Sequence, residues 1–216
     1  MTVADEMGCP HKFKHVFLDA EGTLYVPKHG RSRWEFWADP SPERAVEFFE
    51  HDDGVYDALV RIRPRVDSHC IVSLNHSDVL DALHDKFGIR HLFDAVLLNG
   101  DKGQRIAEYL DERGYSRDDA IMIGDMPGLD LYPVRAVGIE SILVNRVYNR
   151  TAKAERIRGV AELPAWLRVA DLAEGLVLPR FRVATLDDFA GRTGLPSGMP
   201  TAPSLPTRDM IPVPGM

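Results

Sequence analysis

The chain has 216 residues, of which 44% are hydrophobic and 27% are charged. This composition is typical of a globular protein, and the length suits one α/β domain with small additions. The two cysteines, Cys9 and Cys70, are too few for a disulfide framework. Cys70 lies in an apolar run, where we expect a buried and unreactive thiol.

The net charge of −7 comes from 33 acidic and 26 basic residues. It disfavours a protein that coats nucleic acid, because such a protein needs a basic face against the phosphates. No run approaches the ~20 apolar residues of a membrane span, and residues 1–15 lack the apolar core of a signal peptide. We therefore expect a cytoplasmic protein with no nucleic-acid or membrane partner. A small phosphorylated substrate is compatible with this charge, since one or two well-placed cations can bind it.

The two ends of the chain lack the pattern of a folded core. Residues 1–12 mix charged side chains with Gly8 and Pro10, which predicts a loose N-terminal arm. From about Arg180 onward, six of the 15 prolines separate isolated apolar residues, which predicts an extended or disordered tail over residues 179–216. The predicted core domain is therefore residues 13–178.

Within the core, short β-rich runs alternate with helical stretches. The predicted strands are His15–Leu18, Cys70–Leu74, Ala95–Leu98, Ala120–Ile123 and Ser141–Val144, and the predicted helices are Gly54–Ile62, Ser77–Phe87, Gly103–Arg113 and Leu129–Val137. Apolar strands that alternate with helices pair in parallel, with helices on both faces. The predicted fold class is α/β, a three-layer Rossmann-like parallel sheet. In such sheets, ligands bind beyond the carboxyl ends of the strands.

Polar residues lie at the carboxyl ends of the first four predicted strands. Taken singly, each has an ordinary explanation as a turn or helix-cap residue. Together, in this order, they favour a site for a phosphate or a divalent cation. They are Asp19 and Glu21 after the first strand, Ser73 and Asn75 at the second, Lys102 after the third, and Asp125 and Asp130 after the fourth.

This set resembles the haloacid-dehalogenase-like superfamily, whose members are mostly magnesium-dependent phosphohydrolases, over about residues 13–178. A hydrophobic strand followed by Asp-x-Asp-Gly-Thr matches Val16–Thr23, and Ser73 and Lys102 match the second and third motifs by position. The fourth motif, Gly-Asp-x(3–4)-Asp, matches Asp125 and Asp130. The first and fourth motifs are the specific ones.

One position departs from the family pattern, because Glu21 stands where the second aspartate is usual. In the family, phosphatases and phosphomutases carry an acid there, ion pumps carry threonine, and dehalogenases carry neither. The enolase-phosphatase branch is similar in using glutamate. The resemblance therefore implies a phosphatase, in which the longer side chain of Glu21 must fold back to reach the leaving oxygen.

The resemblance also implies a mechanism. Asp19 would attack the phosphorus of a phosphate monoester, and Glu21 would act as general acid and then as general base. Mg²⁺ would be held by the Asp19 carboxylate, the Glu21 main-chain carbonyl and Asp125, with Asp130 bound directly or through water. Ser73, Asn75 and Lys102 would bind the phosphoryl oxygens.

The clustered carboxylates provide a separate argument for a cation. If Asp19, Asp125 and Asp130 point into one cavity, they repel unless a cation sits among them or some are protonated. We expect the cation.

The region of about residues 25–53 predicts a small cap insertion and a relatively open site. Arg31, Arg33 and Trp34 in this insertion are candidates for substrate recognition. Alternatively, Trp34 and Trp37, three residues apart on a helix, attach the insertion to the core. We expect a phosphorylated small molecule as substrate, although an open site could admit a phosphorylated macromolecule or use a second subunit as a lid.

Two other functions stay open at this level. A phosphomutase of the same superfamily also needs Asp19 and Glu21, but a small insertion would shield its phospho-enzyme poorly from water. A non-catalytic phosphate- and metal-binding module would act through its insertion or tail, and Glu21 is the feature that favours it.

Overall fold

The structure is a computed structural model that describes residues 12–168. The predicted N-terminal arm, except for Lys12, and the predicted tail lie outside the described residues, as does the end of the predicted core domain. None of the helices between residues 12 and 168 is long and apolar enough to cross a membrane.

The described chain contains eight strands, and all five predicted strands are among them. The bounds are β1 His15–Leu18, β2 Tyr25–Pro27, β3 Phe49–His51, β4 Ser68–Ser73, β5 Ala95–Leu98, β6 Ala120–Gly124, β7 Glu140–Val144 and β8 Arg156–Ile157. Three of them, β2, β3 and β8, were not predicted. They have only two or three residues, which is too short for the alternation of apolar and polar residues that identifies a strand.

Six of the strands form one parallel sheet in the order β5-β4-β1-β6-β7-β8. The central strand β1 is fully buried. Its residues Val16 and Leu18 pack into one hydrophobic cluster, whereas Phe17 packs into another on the opposite face. Burial on both faces explains why Val16, Phe17 and Leu18 are apolar without alternation.

Seven α-helices accompany the strands. Their bounds are α1 Arg33–Trp37, α2 Pro42–Phe48, α3 Val55–Ile62, α4 Ser77–Phe87, α5 Lys102–Arg113, α6 Tyr132–Ala136 and α7 Leu163–Trp166. Apolar residues of α3 and α4 join the cluster of Val16, whereas those of α5 and α6 join the cluster of Phe17. Helices therefore cover both faces of the sheet, and the predicted three-layer α/β fold is confirmed.

The predicted helix Leu129–Val137 is not one continuous α-helix. The segment begins with a π-helical turn, Pro127–Leu131, and only α6 is α-helical. Pro133 has no backbone N–H to donate to the carbonyl of Leu129, so a regular α-helix over the whole segment would lack this bond. π-helical turns inside helices are often found at functional sites.

The insertion after β1 is a small subdomain anchored by buried aromatic rings. Its strands β2 and β3 pair antiparallel, and α1 and α2 lie between them in the chain. Phe36 of α1 is fully buried, with its ring centroid 4.9 Å from that of Phe49. Trp34 is 67% exposed, so Phe36 and the partly buried Trp37, rather than a pair of tryptophans, attach α1 to the core.

Three histidines are held in or against this core in the neutral form. His51 lies in β3, His69 in β4 and His84 in α4. Burial lowers the pKa of each to about 4, and the nearby cations Lys86 and Arg90 add to the effect at His51 and His84, respectively. The Nε2 atom of each imidazole is buried and lacks a hydrogen-bond partner among the described residues.

These histidines make the fold sensitive to acid. The unfolded chain binds a proton near pH 6.5, before the folded chain does, so each histidine lowers stability as the pH falls from about 6.5 to about 4. In His84→Leu, one such contribution is removed. We expect the loss of unfolding free energy between about pH 7 and pH 4.5 to be smaller than in the wild type by roughly 1–3 kcal/mol.

Urea denaturation at a series of pH values, with a metal chelator present, measures this difference. The matched control is His91→Gln, at an exposed histidine, which should keep the wild-type pH dependence. An unchanged pH dependence in His84→Leu would contradict the prediction.

Candidate active site

The centre of the site is a buried lysine between two aspartates. Asp19 directly follows β1, Lys102 is the first residue of α5, and Asp130 lies in the π-helical turn after β6. The Lys102 Nζ atom lies 2.5 Å from Asp19 Oδ1 and 2.7 Å from Asp130 Oδ1. Burial alone would lower the pKa of Lys102, but the two carboxylates outweigh it and raise that pKa, so Lys102 is a cation.

Asp130 organises the loop that carries Asp125. Its Oδ2 atom accepts the backbone N–H groups of Asp125 at 2.9 Å and of Met126 at 2.7 Å. Its backbone carbonyl accepts the hydroxyl of Ser141 at 2.7 Å. With Lys102 on Oδ1, both oxygens of the Asp130 carboxylate are engaged, which suits a residue that positions other groups.

Asp125 is fully buried, and only one of its two carboxylate oxygens has polar partners among the described residues. Its Oδ2 atom accepts the phenolic hydroxyl of Tyr148, and the Arg33 guanidinium lies 3.1 Å from the same oxygen. Its Oδ1 atom is buried without a hydrogen-bond partner. A buried acceptor of this kind is costly unless a cation or donor reaches it.

These residues fit a divalent metal ion. Asp19, Asp125 and Asp130 each offer an oxygen, and the three oxygens lie within 4.8 Å of one another. Carboxylate oxygens are the ligands that Mg²⁺ prefers, and the unpartnered Oδ1 of Asp125 needs a partner with positive charge. Asp130 Oδ2 accepts two backbone N–H groups. Within residues 12–168, by contrast, Asp19 Oδ2 accepts only the Thr23 hydroxyl at 3.3 Å and Asp125 Oδ1 has no partner, so Asp19 and Asp125 are the better direct ligands.

The charges of the site also leave room for such an ion. If all are ionised, the carboxylates exceed the cations by two charges, the charge of one Mg²⁺. The groups are the carboxylates of Asp19, Glu21, Asp125 and Asp130, and the cations Lys102 and Arg33.

Without a metal, the buried carboxylates resist ionisation. Burial raises the pKa of Asp19 well above its usual value; Lys102 opposes this shift, and the neighbouring carboxylates add to it. Burial also raises the pKa of Asp125, against the lowering effect of Arg33. A bound dication would reverse both shifts, since it favours the charged carboxylates.

Glu21 lies beside this cluster with its carboxyl group held by two residues at the end of β4. Asn75 Nδ2 donates a hydrogen bond to Glu21 Oε1, and the Ser73 hydroxyl lies 3.4 Å from Oε2. Ser73 Oγ also accepts the backbone N–H of Asn75 at 3.1 Å. Burial raises the pKa of Glu21, and the Asn75 hydrogen bond opposes this shift. The carboxyl group of the longer side chain is thus fixed in one position.

At two glycines of this site, an aspartate side chain lies so close to the backbone that a Cβ atom would not fit. Gly22 has φ of +89°, and a Cβ there would lie 2.2 Å from Asp125 Oδ2. At Gly124 a Cβ would lie 2.3 Å from the Asp130 side chain. Gly22 therefore lets the loop after β1 approach Asp125, and Gly124 lets the Asp130 side chain fold back against the end of β6.

The structure brings together most of the predicted site residues, with one exception. Arg33 and Trp34 line the same cavity as Asp19, whereas Arg31 does not. The Arg31 guanidinium lies over the ring of Phe48, 5.1 Å from its centroid, beside a separate cavity of about 230 Å³.

Sequence reasoning missed three residues at the site. Thr23 Oγ1 donates to Asp19 Oδ2 at 3.3 Å, and Asn149 Nδ2 donates to the backbone carbonyl of Asp125 at 2.7 Å. Tyr148 donates its hydroxyl proton to Asp125, and burial together with that carboxylate raises the pKa of Tyr148. Tyr148 and Asn149 follow β7. The carboxyl-end rule that identified the other residues would have found them if it had been applied to that fifth strand.

A cavity of about 250 Å³ opens above Asp19 and Lys102. It is lined by residues from the insertion, from the loops after β1, β4 and β6, and from the start of α5. The lining residues are Asp19, Glu21, Arg33, Trp34, Trp37, Leu74, Lys102, Asp125, Met126 and Leu129.

Solved structures with a similar fold are haloacid-dehalogenase-like hydrolases. A HAD phosphatase from Thermococcus onnurineus is 17% identical, with a TM-score of 0.55 over 72% of this chain and 98% of that one. A haloacid dehalogenase-like family hydrolase from Xanthomonas campestris is 13% identical, with a TM-score of 0.56 over 72% and 95%. An L-2-haloacid dehalogenase from Xanthobacter autotrophicus is 14% identical, with a TM-score of 0.56 over 72% and 98%.

At these identities the similarity is one of fold. No family model matches the sequence, and no curated protein matches it significantly. The chain therefore has the haloacid-dehalogenase-like hydrolase fold, as the motif resemblance implied. Phosphatases and dehalogenases both occur among the similar structures, so the fold leaves the reaction open.

The packing of Asp130 against Gly124 gives a structural prediction. In Gly124→Ala, the added methyl group displaces the Asp130 side chain from Lys102 and from the backbone N–H groups that it accepts. We expect a loss of about 1–3 kcal/mol in unfolding free energy, the usual cost of overpacking a buried position. Gly128→Ala is the matched control, because nothing lies within 4 Å of a Cβ there. Urea denaturation compares the two, and equal stability of both variants would refute the assigned contact.

Proposed function

We propose that the protein is a Mg²⁺-dependent phosphohydrolase that cleaves a phosphate monoester of a small molecule through an aspartyl-phosphate. One observation carries the proposal. At one edge of the sheet, the ion pair of Asp19 with Lys102 lies beside the unpartnered Oδ1 of Asp125 and a second, fixed acid, Glu21. A nucleophile, a cation, a metal-ligand oxygen and a proton donor line one cavity.

The metal would be held by Asp19 and Asp125, with Asp130 holding the loop of Asp125 in place. When bound, Mg²⁺ neutralises negative charge on the phosphoryl group and on the attacking carboxylate. The Glu21 main-chain carbonyl is a further oxygen ligand in the arrangement that the family resemblance implies.

In the first step, an Asp19 carboxylate oxygen attacks phosphorus and the bond to the leaving oxygen breaks. Lys102 holds one Asp19 oxygen and Thr23 the other, so the carboxylate is oriented before substrate arrives. Lys102 is also positioned to stabilise negative charge on the transferring phosphoryl group, since its ammonium lines the cavity.

Glu21 would protonate the leaving oxygen in the first step. In the second step, the Glu21 carboxylate would accept a proton from the water that cleaves the aspartyl-phosphate, which restores both side chains. Asn75 and Ser73 fix the Glu21 carboxyl group in the present structure. The Ser73 hydroxyl has one proton and would bind a phosphoryl oxygen only by releasing Glu21, whereas Asn75 Nδ2 has a second proton to donate.

Two features favour a phosphate ester over a haloacid. A halide ion leaves without a proton, whereas an alkoxide needs one, and Glu21 is a fixed acid beside the nucleophile. The cluster of three aspartates also suits a dication, which serves an anionic phosphoryl group. An exposed cavity mouth, where Trp34 is 67% exposed, favours hydrolysis over the phosphomutase reaction, because water reaches the aspartyl-phosphate.

The central test is phosphate release from 4-nitrophenyl phosphate. We expect turnover with Mg²⁺, loss of turnover with a chelator, and recovery when Mg²⁺ is restored. Asp19→Asn removes the nucleophile and should lower kcat by roughly 10³-fold or more, as losing a covalent nucleophile does in other enzymes. Asp118→Asn, at an exposed aspartate away from the cavity, is the control and should keep wild-type kcat.

Each failure has a distinct meaning. Activity that survives in Asp19→Asn would refute the assigned nucleophile. Turnover that is unaffected by chelator would refute the role of the metal. No turnover of any phosphate ester by Mg²⁺-loaded protein would favour the non-catalytic module, and chloride release from 2-chloropropionate would favour a dehalogenase.

The role of Glu21 has its own signature. Glu21→Gln keeps the size and the hydrogen-bonding shape of the side chain but removes the acid. We expect kcat for a simple alkyl phosphate to fall by about 10²–10⁴-fold, the usual contribution of a general acid. Formation of the aspartyl-phosphate from 4-nitrophenyl phosphate should change much less, because 4-nitrophenolate leaves without protonation. Rapid-quench trapping of the phosphorylated protein measures the rate of this step for both esters. An equal loss of rate for the two esters would exclude Glu21 as the acid.

A further inference from the structure

The cavity above the candidate nucleophile has two chemically different parts. Of its ten lining residues, five are charged and belong to the reacting end or, in the case of Arg33, contact it. The other five are apolar. Among these lining residues, all of them in the described part of the chain, there is no neutral hydroxyl or amide side chain. The apolar residues are Trp34, Trp37, Leu74, Met126 and Leu129.

The apolar wall, defined by these five residues, is assembled from three separate segments. Trp34 and Trp37 come from α1, Leu74 follows β4, and Met126 and Leu129 belong to the loop after β6. These segments meet only in the folded chain, at the mouth of the cavity that contains Asp19.

Part of the apolar wall is left in contact with water. Trp34 is 67% exposed, Leu74 42% and Leu129 38%. Grouped apolar side chains with this exposure mark a surface that gains free energy when a ligand covers it. The surface adjoins the place where the group leaving the phosphorus would lie.

Arg33 is directed from the edge of this wall toward Asp125. Its Nη2 atom lies 3.1 Å from Asp125 Oδ2 and 2.9 Å from the sulfur of Met126. Its guanidinium also lies over the Tyr148 ring, 4.3 Å from the centroid. A substrate hydroxyl would have to compete with these contacts to reach Nη2.

We propose that the protein prefers small phosphate monoesters whose leaving group carries an aromatic ring, or an apolar group of similar size, near the ester oxygen. Trp34 and Leu129 would contact this group. The inference rests on the proposed phosphohydrolase function. A polyol or sugar phosphate would place several hydroxyl groups against a wall whose hydrogen-bond donors are only the two indole N–H groups, which disfavours its binding. A cavity of about 250 Å³ accommodates a phosphoryl group and about one ring.

The test compares two esters that differ in polarity but release primary alcohols. These are 2-phenylethyl phosphate and glycerol 3-phosphate, assayed with Mg²⁺. Because the two leaving groups have similar intrinsic reactivity, the ratio of their kcat/KM values reports the contacts with the wall. We expect 2-phenylethyl phosphate to be preferred by about tenfold or more, chiefly through a lower KM. A ratio near one, or a preference for glycerol 3-phosphate, would overturn the inference.

A variant links the preference to the wall. Trp34→Ser should lower the ratio several-fold, chiefly by raising KM for 2-phenylethyl phosphate. Because Trp34 is largely exposed, the variant should fold. The matched control is Tyr56→Ser, at an exposed aromatic residue of α3 that does not line the cavity, which should keep the wild-type ratio. An unchanged ratio in Trp34→Ser would also overturn the inference.

Binding of analogues that are not hydrolysed tests the apolar wall separately from the phosphohydrolase function. Benzylphosphonate and 2-hydroxyethylphosphonate cannot be hydrolysed at the carbon–phosphorus bond, and their binding is followed by tryptophan fluorescence or calorimetry. Tighter binding of benzylphosphonate by tenfold or more, lost in Trp34→Ser, would support the apolar wall even if no ester is turned over. Equal affinities would overturn it, whatever the activity.

Discussion

The buried ion pairs of Lys102 determine the arrangement of the whole site. The Lys102 ammonium joins Asp19 after β1 to Asp130 after β6, and Asp130 in turn holds the backbone N–H groups of the loop that carries Asp125. Three loops that are distant in the chain are thereby fixed to one another. Such a network is stable only if every charge keeps its partner, because an unpaired charge at this depth costs several kcal/mol. In this network, Asp125 Oδ1 is a buried oxygen without a hydrogen-bond partner. An unpartnered acceptor in an otherwise satisfied network is typical of a functional position.

The apolar core explains why this polar network can form at one edge of the sheet. Parallel strands buried on both faces, such as β1, direct all their carboxyl ends to the same side. The backbone there is tightly packed, so glycine is needed at Gly22, which faces Asp125 of the other loop, and at Gly124, which faces Asp130 of its own loop. The insertion adds the remaining wall. Phe36 anchors α1 in the core, and this leaves Trp34 at the mouth of the cavity.

The candidate site therefore combines a preorganised charged floor with an apolar entrance. The floor is rigid, because the carboxylates of Asp19, Asp130 and Glu21 are each held by named donors. The entrance is formed by residues from segments that are far apart in the sequence, and it carries exposed aromatic rings and aliphatic groups. In the proposed function, the floor would bind the metal and carry out the chemistry, and the entrance would select the leaving group.

By itself, the sequence determined the alternation of strands and helices, the class of fold, and the seven polar residues at the strand ends, because these depend on local periodicity and on the polarity of short segments. The tertiary structure alone decided which of these residues touch. Two of these contacts join residues that are far apart in the chain: Glu21 pairs with Asn75, and Asp125 contacts both Arg33 and Tyr148. The structure also decided that Arg31 lies over Phe48 and away from the cavity. Such contacts leave no periodic signal. The π-helical turn before α6, from which Asp130 accepts the backbone N–H groups of Asp125 and Met126, is likewise seen only in the structure.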